Sequence, residues 1–135
     1  METPERPRWI APFRLLAFAF GLISAAALIL HLRSPSWGWP LAGLGAMVIV
    51  ALFCFALVPP SFLARYWMAP AVLACAGLGF VLNQLRELAG RGVDPLLLSG
   101  HGLMAAVFIA MLVEAVQFRR RKKGASARLP PVNSA

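Results

Sequence analysis

Glu114 is a carboxylate set inside a long apolar run, and an ionised carboxylate in hydrocarbon needs a cation, a proton or a route to water. Its neighbours three and four residues on are Gln117 and Phe118, so its own helix face supplies no base. Arg14 and Arg65 belong to the same membrane face and are the expected partners. An interfacial ion pair is the expectation; a proton or cation relay through Glu114 is the alternative. A second polar set, His31, Asn83, Gln84, Ser99 and His101, falls near the opposite ends of the apolar runs and projects at similar depth. Two histidines on separate helices have the chemistry to ligate a haem iron, and one alone can hold a proton, a metal or a quinone. No third ligand accompanies them, so no cofactor is required and no metal site is expected, and haem stays an alternative.

Other constellations carry less. Cys54 and Cys75 stand far apart with no Cys-x-x-Cys spacing, and read as small packing residues. Ser24 and Ser99 lie in apolar surroundings without an Asp/His pair, and no glycine-rich phosphate loop or His-Glu metal motif is present. A non-enzymatic protein is expected.

The elements that must position these groups are four apolar runs, at about 13–32, 40–58, 69–88 and 96–118. Each has the roughly 20 residues that a helix needs to cross a bilayer core of about 30 Å. Sixty per cent of the chain is hydrophobic and 13% is charged, too few charges to clothe a soluble helical bundle, whose helices would show polar outer faces. The runs are continuous rather than alternating, which excludes a transmembrane β-barrel. Small residues recur every fourth position: Ala17, Gly21 and Ala25; Ala71, Cys75 and Gly79; Gly102, Ala106 and Ala110. Such stripes let helix backbones approach where lipid supplies no hydrophobic driving force. Asn83 continues the second stripe, Glu114 continues the third, and Ser24, Ala27 and His31 share a face of the first run.

Ten of the 13 basic residues, among them Arg6, Arg8, Arg14, Arg65, Arg119, Arg120, Arg121, Lys122, Lys123 and Arg128, fall on one side of these runs; Arg33, Arg86 and Arg91 fall on the other. The positive-inside bias places both termini in the cytoplasm of a bacterial-type inner membrane. The cluster Arg119 to Lys123 reads as an anchor to anionic headgroups. Nucleic acid is not an expected partner of the net +8 charge, because no aromatic residue follows Phe118 on which a base could stack.

Turn chemistry separates the runs: Ser34 to Pro40, Pro59-Pro60-Ser61, and Gly90 through Asp94-Pro95. Connections this short join neighbouring antiparallel helices, so an all-α, up-down-up-down four-helix transmembrane bundle is expected. Residues 1–12 read as a short cytoplasmic arm, and 119–135 as a basic, disordered cytoplasmic tail. Small residues at Ser24 to Ala27 resemble a signal cleavage site, but the apolar stretch continues through Leu30, so an uncleaved anchor is expected.

In size and helix count the chain is similar to small multidrug-resistance transporters, which carry their membrane carboxylate in the first helix, where this sequence has Arg14. The plan also looks like that of small accessory proteins of respiratory and ATP-synthase complexes. The leading expectation is an accessory, assembly or scaffolding subunit that packs with itself or a larger complex. A homo-oligomeric transporter using Glu114 and a haem- or quinone-binding electron carrier using His31 and His101 are the alternatives.

Overall fold

The computed structural model describes residues 6–33, 39–92 and 94–128. The first five residues, the turn at 34–38, position 93 and the end of the tail at 129–135 lie outside the described residues. The described residues form five helices and no strand: α1 Ile10–Leu32, α2 Trp39–Leu57, α3 Pro60–Arg65, α4 Met68–Gly90 and α5 Pro95–Arg128. Three of them, α1, α4 and the Pro95–Gly124 part of α5, are long and apolar enough to cross a membrane, and α2 adds a shorter apolar stretch, Ala42–Leu57. Leu15, Leu22, Leu30 and Leu96 are among the many large apolar side chains that face outward. Such a surface is consistent with a helical membrane protein, in which lipid replaces water.

Helix ends follow local chemistry. Pro59 and Pro60 lack the amides that would bond the Phe55 and Ala56 carbonyls, so α2 stops at Leu57. Pro60 suits a first helical position and starts α3, a single turn and a half between the second and third apolar runs. Its Leu63 is buried and it packs on α5. Gly92, with φ of 64°, takes the left-handed conformation beyond the end of α4. Asp94 then caps α5, its Oδ1 accepting the Leu96 amide at 3.2 Å.

Two boundaries differ from the sequence reading. α1 begins at Ile10 rather than near 13, because the Ile10 and Ala11 amides donate to the Pro7 and Arg8 carbonyls and wind the arm into the helix. α5 continues past Phe118 to Arg128. Arg, Lys and Ala favour helix whether or not they are apolar, so the backbone does not stop where the hydrophobicity does.

α1 lies along α2 and α4 along α5, and the two pairs meet through α2 with α4 and α1 with α5. The core between them holds Ile10, Ala17, Leu52, Phe55, Ala74, Val81, Val107 and Phe108. Ala17 and Gly21 are buried, and a Cβ added at Gly21 would lie 3.2 Å from the Phe53 ring, so the first small-residue stripe is a seam. The other two seams are rotated from the expected stripes. On α4, Cys75 and Gly79 are exposed, and the packed face is Pro70, Ala74, Gly77 and Val81. On α5, Gly102 is exposed, Ala106 half-buried and Ala110 buried, while Phe108 and Met111 fill the interface. The reason is Phe108: its ring lies directly on the α4 backbone at Gly77, where a Cβ would come within 2.9 Å of Cδ1 and nearer still to Cε1 and Cζ.

Gly77→Ala should therefore destabilise the detergent-solubilised protein by about 1–3 kcal/mol through overpacking, despite a helix-propensity gain of up to about 1 kcal/mol. Gly79→Ala, where an added Cβ meets nothing within 4 Å, should not destabilise it by more than about 0.5 kcal/mol. Denaturant titration followed by circular dichroism measures both. Equal losses would remove the Phe108 contact as the determinant of this seam.

Candidate functional site

Residues seven apart on a helix lie nearly on the same face, two turns along. Gln84 is seven residues beyond Gly77 on α4, and His101 is seven residues before Phe108 on α5. The two helices pass in opposite directions, so the contact that seats Phe108 on Gly77 also brings Gln84 and His101 to one seam. There, at the end where α1 and α4 finish and α5 begins, a partly open cavity of about 460 Å³ lies between α1, α2, α4 and α5. Ser24, His31, Gln84 and His101 supply its polar lining; the rest is apolar, including Leu28, Val48, Phe80 and Met104.

Each imidazole is fixed by its own helix. His31 Nδ1 lies 2.7 Å from the Ala27 carbonyl oxygen, and His101 Nδ1 lies 2.9 Å from that of Leu97. A carbonyl oxygen only accepts, so Nδ1 carries the proton in both rings and, in the neutral form, Nε2 carries the lone pair. The pair has the nitrogen chemistry of metal or haem ligands, and no group of three or more metal-ligating side chains occurs among the described residues.

Of the polar set expected at this end, Gln84 and not Asn83 faces inward. Asn83 is exposed, on the same outward face of α4 as Cys75 and Gly79; one position is a rotation of about 100°, and the rotated seam decides which amide enters. Ser99 is also exposed, its hydroxyl donating to the Pro95 carbonyl at 2.8 Å.

The opposite end is organised around Glu114, which is 2% exposed. Its partner is Arg6, with Nη2 3.1 Å from Oε1 and side chains 8% and 3% exposed. Neither Arg14 nor Arg65 makes this ion pair. Arg14 donates through Nε at 3.2 Å and Nη2 at 2.7 Å to the Ala56 carbonyl, the acceptor that Pro60 leaves without a helical donor. A guanidinium beside the last turn of α2 also opposes that helix's dipole. Arg65 stacks over Tyr66 at 5.5 Å.

The sequence predicts an arm outside the bundle, and the winding of residues 7–11 into α1 carries Arg6 inward. The signal for Arg14 was legible in Pro59-Pro60, which strands carbonyls that must be satisfied. Burial holds Arg6 below the usual arginine value, with Glu114 acting in the opposite direction; the group stays cationic. Glu114 Oε2 and Gln117 Oε1 are buried without a hydrogen-bond partner. Arg119 packs over the Trp67 ring at 5.0 Å, and Arg120, Arg121, Lys122 and Lys123 are exposed along α5.

Arg6→Met should cost about 3–5 kcal/mol of stability, because it strands a buried carboxylate. Combining it with Glu114→Leu should recover most of that loss, as read by thermal unfolding of the purified protein. A single-variant loss under about 1 kcal/mol would reduce the pair to a surface contact. No protein-family model matches the chain, and neither a curated protein nor a solved structure matches it.

Proposed function

We propose that the protein is a small multi-pass protein of a bacterial-type inner membrane, its four apolar helices crossing in alternate directions with both termini in the cytoplasm. In this reading it is a non-enzymatic accessory subunit, and it contributes a binding site for a small amphipathic molecule. The asymmetry of the basic residues supports the orientation. The cavity carries the functional reading: polar side chains from three helices, Ser24 and His31, Gln84, and His101, converge in a mostly apolar chamber of about 460 Å³, within the usual size of a small-molecule site. Transport through Glu114 has less support, since its carboxylate is paired with Arg6 at the other end of the helices.

A second reading, association with a larger complex or another copy, draws on the outward face of α4. Exposed Asn83 lies in line with Cys75 and Gly79, where α4 leaves open space. An amide facing lipid is costly, and a partner helix would satisfy it.

A neutral solvatochromic dye tests the cavity. It should bind the purified protein saturably, and Gly45→Leu should weaken binding by about tenfold, the effect of about 1.4 kcal/mol. Gly45 lines the chamber and a Cβ there meets Leu28 at an ordinary 3.6 Å, so the backbone tolerates the filler. Dye binding untouched by Gly45→Leu would overturn the reading.

A further inference from the structure

We infer that the cavity takes a quinol, an aromatic ring with two hydroxyl groups on an apolar tail, in preference to the oxidised quinone, with His101 and Gln84 as its hydrogen-bond partners. The inference rests on the cavity being a binding site and adds the chemistry of what fills it. The described lining residues include no charged side chain, so the occupant is neutral: a buried charge without a partner is costly. A haem would bring two carboxylates to a wall with no cation to receive them. The apolar lining, with Phe80 among aliphatic side chains, suits a ring, and the partial opening gives a tail an exit to the outer apolar surface.

Hydrogen-bond polarity selects the redox form. The Leu97 carbonyl takes the Nδ1 proton of His101, so neutral His101 presents a lone pair at Nε2 and accepts from a donor. A quinone has carbonyl oxygens, which only accept, and it leaves that lone pair unmatched. A quinol donates one O–H to His101 Nε2, and its other hydroxyl meets the Gln84 amide, which can either accept or donate. Nothing is oxidised or reduced in this step; the site discriminates by binding alone.

Anaerobic displacement of the solvatochromic dye by decylubiquinol and by decylubiquinone tests the inference. The reduced probe should compete at about tenfold lower concentration, the effect of one well-made hydrogen bond. His101→Phe keeps a ring but removes the lone pair, and should shrink that preference below about twofold. If that variant does not fold, the comparison on the natural protein decides. Equal displacement by both probes, or by neither, overturns the quinol assignment while dye binding that Gly45→Leu weakens still upholds the cavity. Dye binding indifferent to Gly45→Leu removes the cavity and the assignment with it. A Soret band after haem-replete expression, lost in His101→Phe, would show that iron takes the lone pair and would also overturn the assignment.

Discussion

The ring of Phe108 resting on the bare backbone of Gly77 is the contact on which the arrangement of α4 and α5 depends. Helices in lipid gain little from hiding apolar surface, because lipid is as apolar as their neighbours; what distinguishes one packing from another is how closely two surfaces fit. Among the described glycines, Gly77 is the one where an added Cβ would meet a neighbour most closely. Once that contact is made, the seven-residue spacing carries Gln84 and His101 into register at one end and, counted from the buried Val107 beside Phe108, turns Glu114 into the bundle toward the other. Both polar sites are therefore downstream of a contact that contains no polar atom.

The two ends solve the problem of polar groups in an apolar setting differently. At the Arg6 end, charges meet charges and stranded carbonyls: Glu114 takes Arg6, and Arg14 takes the Ala56 oxygen. The pairing is incomplete, since Glu114 Oε2, Gln117 Oε1 and the Nε and Nη1 of Arg6 are buried without a hydrogen-bond partner. At the histidine end each imidazole donates to a carbonyl of its own helix, and both rings line a cavity. One end pairs charges, and the other surrounds a cavity with uncharged polar groups.

Much of this was legible before any coordinates. The apolar runs, the prolines that end them and the carboxylate at Glu114 are local features, set by composition and backbone chemistry. The choice of face was not legible, because a helix that is apolar all round gives no polarity by which to choose. Spacing by four named Ala71, Cys75 and Gly79, yet the packed face is Ala74, Gly77 and Val81, since a ring on another helix made the selection. Arg6 was missed for a related reason: its partner lies 108 positions away in a chain whose arm had no periodicity to read. The depth of His31 and His101 was readable from their places in the runs; their shared cavity required the helix pairing.

The continuous winding of α5 changes what its basic residues are. Its 34 residues make a rod of about 51 Å, longer than a bilayer core of about 30 Å is thick. Five consecutive cations from Arg119 to Lys123 on such a rod point in all directions around its axis, as successive positions turn by about 100°. They form a rigid collar at one height rather than a loose brush. A collar resists being drawn into hydrocarbon, and with Arg119 held against Trp67 it sets the level at which the whole rod can ride.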